Sequence, residues 1–214
     1  TNVVGLWGSG KISGMGCSYL GFVRGDGLGY GVQSGIRAAV SMVRYVENAD
    51  FGRINPEQVS ELKEKIYAPL NRTSNHHADE IFQRIEEYAF HIDVMLAKSE
   101  KRINRVLKEI GQMWELVPQL SATDAHTLAK CHEAADCLLC LEFIFRAALM
   151  RKESRGGRYR HYREDYPKRD DKNWLKWIII QEGKDGNMEL STQDVPMERY
   201  KFKPEGWQSG ASAE

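Results

Sequence analysis

No apolar run in the 214-residue sequence approaches the ~18–20 residues that a helix needs to cross a bilayer, so no transmembrane segment is predicted. The N-terminus also lacks the basic, apolar and small-residue succession of a secretory signal. Neither sign of charge is in excess. Thirty basic side chains balance thirty acidic ones, which argues against a nucleic-acid partner, since such proteins carry a clear surplus of positive charge. Cysteine is scarce, and its four residues read as reduced thiols in a cytosolic setting. Cys137 and Cys140 imitate a redox or metal motif, but no second Cys-x-x-Cys exists to complete four ligands. They are read as buried thiols of an apolar helix. An initiator Met is also missing, and TNVVGLWG runs straight into a strand-like segment, as expected of a piece cut from a longer protein.

What is present is unevenly distributed. Residues 1–31 hold ten of the 19 glycines, a density that permits positive φ and close backbone approach to a ligand. A short strand is predicted over 3–7, a glycine loop over 25–31, and a helix from Val32 to Glu47 with Ile36, Val40, Val43 and Val46 on one face. After a linker at 48–55, Asn55 caps a helix begun by Pro56, with a stripe of Val59, Leu62, Ile66 and Leu70. Helical periodicity returns over about 77–96 (Ile81, Ile85, Tyr88, Ala89, Ile92, Met95) and about 98–116 (Ile103, Val106, Leu107, Ile110, Trp114). A long helix then runs from a cap at Thr123 or Asp124 to about Lys152, burying Leu128, Cys131, Ala135, Leu138, Leu141, Phe145, Ala148 and Leu149. Four amphipathic helices with short links predict an antiparallel bundle. WLKWIIIQ and NMELSTQDV, flanking EGKDG, predict a β-hairpin. The fold class is therefore mainly α, with a short C-terminal hairpin.

Between bundle and hairpin, residues 151–177 crowd ten Arg and Lys among five Asp and Glu, with Tyr159, Tyr162, Tyr166, Trp174 and His161 interleaved. This is poor core material but suits a semi-buried polar seam, where guanidinium forks meet carboxylates and carbonyls. Arg158, Arg160 and Arg163 beside tyrosines could stack RNA bases, but the carboxylates at 164–165 and 170–171 would repel phosphate. His161 is expected to be a hydrogen-bonded member of the seam, the alternative being an approach to an active site.

Glu153-Ser154-Arg155-Gly156, His161-Tyr162-Arg163-Glu164-Asp165-Tyr166-Pro167, Asp170-Asp171 and Asn173-Trp174, in that order, resemble the C-terminal signature of the fumarate reductase/succinate dehydrogenase flavoprotein superfamily, which includes L-aspartate oxidase and adenylylsulfate reductase α subunits. Gly5-Leu6-Trp7 with Gly8 and Gly10, a glycine loop, and Ser34-Gly35-Ile36-Arg37-Ala38-Ala39 resemble the last strand, loop and helix of that family's FAD domain.

The resemblance implies residues 1–50 as the end of an FAD domain, 51–153 as a helical bundle, and 154–214 as seam, hairpin and tail. It implies an FAD-dependent oxidoreductase moving a hydride between flavin and a dicarboxylate-like substrate, with an iron–sulfur electron-transfer subunit as partner. It implies a cytoplasmic protein, held at the membrane only through partner subunits. The family's dinucleotide-binding GxGxxG unit and capping domain have no counterpart in these 214 residues, so the N-terminal FAD and capping domains are expected as partners of this part.

The family's site residues carry over to Arg24 as the substrate-binding arginine, with a surface or docking arginine as the alternative. Gly27, Leu28, Gly29 and Tyr30 carry over as backbone donors to the flavin ring, with a plain tight turn as the alternative. Lys11 stands where the family has an acidic residue that bonds the ribityl chain, and a cation cannot accept that hydroxyl. A separately encoded helical interaction module without flavin chemistry remains the second reading.

Overall fold

A computed structural model describes residues 3–13, 26–50, 52–156 and 161–203. Two compact units divide the chain, Thr1–Lys63 and Glu64–Glu214.

In the first unit, α1 (Asp26–Val46) begins six residues before the predicted start. The stretch predicted as a glycine loop is its first turns. Gly29 and Gly31 each cost a helix about 1 kcal/mol relative to alanine, and contacts to a neighbouring turn offset this. That neighbour is a short 3-10 turn, Gly10–Ser13. The predicted strand at 3–7 is absent, because Leu6 N–H closes a turn onto Val3 O and Gly5 sits at φ +79°. Trp7 instead packs edge-on against Tyr45 and donates its Nε1 to Ser41 Oγ at 2.9 Å. The predicted stripe of α1 exists but is bare, with Ile36, Val40, Val43 and Val46 all exposed. The same holds for Val59, Leu62 and Ile66 on α2 (Pro56–Tyr67), and for Leu70 just after it.

The core lies in the second unit. Here α5 (Glu100–Leu116) packs along α6 (Ala125–Met150), and α3 (Ala78–Tyr88) lies against both. Ile81, Ile85, Ile103, Val106, Ile110, Met113, Leu138 and Phe145 interlock there with almost no exposure. The predicted helix over 77–96 is two pieces, α3 and the single turn α4 (Ile92–Met95). Phe90 N–H reaches back five residues to Ile85 O, which ends α3 and leaves Ile92 exposed instead of in the stripe. Ser99 caps α5. Asp124 and Thr127 form a reciprocal capping box that starts α6, as the sequence predicts.

Cys131 is buried as expected, but Cys137 and Cys140 are exposed, because they lie beyond the edge of the α6 face that buries Ala134, Leu138 and Leu141. A single turn, α7 (Asp171–Trp174), precedes strands β1 (Lys176–Glu182) and β2 (Met188–Asp194). These pair antiparallel with Ile179 opposite Ser191, and Gly186 at φ +78° makes the connecting turn. Among the described residues no helix is long and apolar enough to cross a membrane.

Candidate functional site

Among the described residues, each guanidinium of the seam has a structural task. Arg163 is fully buried. Its Nη1 donates to the carbonyls of Ala148 (2.6 Å), Leu149 and Arg151 (both 3.3 Å), which the end of α6 leaves without helical partners. Its Nε and Nη2 grip both oxygens of Asp165 at 2.7 Å. Asp165 Oδ2 also accepts the Glu100 N–H at 2.8 Å, in the first turn of α5. One ion pair therefore ties the negative end of α6 to the positive end of α5, a favourable placement for both charges. The paired guanidinium and the backbone donor hold the Asp165 carboxyl below its usual range.

Glu153, also fully buried, accepts from Arg151 Nη1 (2.7 Å), from Arg155 Nε (2.6 Å) and Nη2 (2.9 Å), and from Asp170 N–H (2.9 Å). Arg155 reaches Asp171 at 2.6 Å as well. Arg151 goes on to the carbonyls of Trp174 and Lys176, fastening the hairpin to the end of α6. Such buried charges stand only because each is met by several partners.

Two cationic or basic groups are less well served. Lys98, which the sequence analysis did not single out, is only 4% exposed. It donates to Met95 O at 2.6 Å and has no carboxylate partner among the described residues, so burial depresses its pKa. No periodicity marks it, since it lies in the short link before the Ser99 cap. His161 pairs through its backbone with Arg155. Its Nε2 is buried with no hydrogen-bond partner, while the ring keeps a hydrogen bond to the Arg151 backbone, so it is a seam histidine bonded on one side only. Burial, aided by the nearby charges of Lys98, Arg151 and Arg163, lowers its pKa to about 4, although the Arg151 carbonyl works the other way.

The carried-over flavin residues belong to the first unit. Arg24 lies outside the described residues. Lys11 is exposed on the 3-10 turn. That turn is clasped to α1 by Ser34, whose Oγ accepts Gly10 N–H (2.9 Å) while donating to Tyr30 O (2.6 Å). Ser13 Oγ meets Tyr30 OH at 3.1 Å. Lys11 and the start of α1 are thus brought together. Gly27 and Leu28 fall in the first turn, where N–H groups lack helical acceptors, whereas Gly29 and Tyr30 come fourth and fifth, where the helix takes up the N–H groups itself. Among the described residues nothing lies within 4 Å of where a Cβ would stand at Gly29 or Gly31. This open backbone fits the close approach of a planar ring, and Lys11 offers it a cation where a hydroxyl acceptor is expected. Ser34→Ala should loosen the clasp by about 1 kcal/mol, read as roughly five-fold faster hydrogen exchange at the Gly10 amide.

Fold and seam together define a helical-bundle domain whose buried charges serve structure. Residues 87–208, more than half the chain, match the family described as Fumarate reductase flavoprotein C-term, and the chain belongs to that family. It is 27% identical over 184 residues to an uncharacterized FAD-dependent oxidoreductase of Methanocaldococcus jannaschii, covering 84% of this chain and 32% of that protein. The 8-methylmenaquinol:fumarate reductase flavoprotein subunit of Wolinella succinogenes is 39% identical over 71 residues, covering 33% of this chain and 11% of that protein. Among solved structures, adenylylsulfate reductase from Archaeoglobus fulgidus superposes with a TM-score of 0.70 at 25% identity, over 81% of this chain and 30% of that one. The chain thus spans about a third of the length of the first of these relatives and of the superposed structure.

Proposed function

We propose that this chain supplies the helical scaffold, subunit contacts and part of the flavin-facing surface of an FAD-dependent oxidoreductase of the fumarate reductase/succinate dehydrogenase type. In that reading residues 1–50 complete an FAD domain, 51–153 are the bundle, and 154–214 form seam, hairpin and tail. The observation that carries it is the condition of α1. Its first turn is open, and Leu28, Val32, Ile36, Val40 and Val43 stand exposed in a row that a separate body must cover. The N-terminal FAD and capping domains of the same flavoprotein are the proposed cover. The relatives support this, one being FAD-dependent by its name and another a flavoprotein subunit.

Bound FAD would supply the ring that gives or takes a hydride from a dicarboxylate-like substrate. Gly27 and Leu28 would direct backbone N–H groups toward it, with Gly29 leaving room for it and Tyr30 holding the turn in place. Lys11 would set a positive charge beside it, and Arg24 would clamp a substrate carboxylate. An iron–sulfur subunit is the proposed electron partner, in the cytoplasm or at the membrane through further subunits. Lys11 is also the one observation that favours the other reading, a helical interaction module without flavin chemistry.

The test is flavin absorbance of the whole flavoprotein, with turnover screened on fumarate, succinate, aspartate and adenylylsulfate. Flavin and turnover of one of these are expected there. The 214-residue chain alone should retain little flavin and be inactive, and stoichiometric flavin in the purified chain would overturn the proposed dependence on other domains.

A further inference from the structure

The solvent face of α5 carries Lys101, Arg102, Arg105 and Lys108 on successive turns. Lys101 and Arg105 are four residues apart, and Arg105 is three from both Arg102 and Lys108, spacings at which like charges on a helix repel. Lys101, Arg105 and Lys108 are exposed, and among the described residues none of them has a carboxylate within ion-pair distance. Only Arg102 is paired, with Glu164. Arg105 is held over the ring of Tyr88, 5.8 Å from its centroid, so its guanidinium is not free to swing away from its neighbours. Two depressions of about 300 and 730 Å³ share Arg102 and Arg105 and run along this stripe. The first is also bounded by His91 and Asp93, the second by Ser99, Asn104 and Glu164, the last neutralised by Arg102. The helix thus keeps an internally repulsive row of cations beside a continuous groove.

We propose that this groove docks a carboxylate-rich segment of a protein partner, its acidic side chains meeting Lys101, Arg105 and Lys108. From Lys101 to Lys108 the cations span roughly 10 Å of helix axis. A single small anion cannot satisfy that length, whereas acidic residues on consecutive turns of a helix, or alternate residues of a strand, match it. Ser99 and Asn104 add uncharged hydrogen-bonding groups between the cations. A nucleic acid fits less well. Among the lining residues the His91 imidazole is the single ring that could stack a base, and the row ends at the neutral Gly111 and Gln112 instead of extending as a phosphate track.

The whole chain should bind a fluorescein-labelled oligoglutamate peptide by fluorescence anisotropy at low salt, with affinity falling steeply as salt is added. The triple variant K101Q/R105Q/K108Q should weaken binding at least about ten-fold. Its thermal transition should be unchanged or raised, because repulsion on α5 is relieved. A variant neutralising two cations elsewhere, K172Q/K184Q, should bind like the parent, which separates the stripe from net charge. No binding of the peptide, or equal binding by the triple variant, would overturn the proposal. So would displacement of the peptide by inorganic phosphate at equal concentration, or by an oligothymidylate of equal charge at lower concentration. None of these outcomes depends on flavin, so the proposal and the flavoprotein reading fail separately.

Discussion

Arg163→Ala should destabilise the second unit by about 2–4 kcal/mol, the cost of emptying a fully buried site and leaving its backbone acceptors unpaired. The substitution strands Asp165 and leaves three carbonyls at the end of α6 without their donor. It also removes the link through which Asp165 holds Glu100 N–H at the start of α5. Lysine should not rescue it, because a single ammonium cannot grip both Asp165 oxygens and reach the Ala148 carbonyl together. Urea midpoints of parent, R163A and R163K measure the effect. The double variant R163L/D165L should recover little of the loss, since Asp165 is exposed and the α6 carbonyls stay unpaired in either variant. A loss below about 1 kcal/mol in R163A would show that the seam is peripheral to folding.

The second large effect concerns pH. His161 binds its proton at about 4 in the folded chain, against an ordinary value of 6.5, so the unfolded chain takes up the proton first as pH falls. The stability linked to the neutral imidazole is fully present above the ordinary value and is lost on acidification toward the folded one. Between about pH 7.5 and about pH 4.5 the loss should be about 2–3 kcal/mol. Asp165, Asp170 and Asp171, all held below their ordinary range, add their own acid lability only at lower pH, which leaves the intervening window to the histidine. Denaturation midpoints across that window should slope downward in the parent and flatten in His161→Gln. An equal slope in the two would exclude His161 as the cause. Burial sets the sign, and Lys98, Arg151 and Arg163 reinforce it by opposing a further positive charge.

How much of this was legible in the chain differs from one element to the next. Where a stripe has a partner inside the chain, as for Ile81 and Ile85, Ile103 to Ile110, and Leu128 to Ala148, periodicity foretold both helix and burial. The cap of α6 is a local side-chain-to-backbone bond and was equally readable, as was the hairpin around its glycine turn, whereas the Ser99 cap of α5, though just as local, was missed. The stripes of α1 and α2 show the limit. Periodicity reports that a face is apolar but not whether anything in the same chain covers it. The extended start of α1 was missed because glycine content outweighed tertiary contacts that no local rule sees. Within the seam, composition announced a polar network and named Arg155, Arg163 and Asp165 as members. The lone Nε2 of His161 and the buried Lys98 could not be read, since both depend on which backbone strands happen to meet.

The bond from Glu100 to Asp165 has a consequence for synthesis. The two residues are 65 positions apart, so the start of α5 leaves the ribosome well before the residue that completes it. At about 5–20 residues per second, the wait lasts on the order of three to thirteen seconds. During that interval α3, α5 and α6 have emerged with their apolar faces but without the clamp that closes them. A nascent chain stalled between Met150 and Arg163 should be the form most dependent on chaperones.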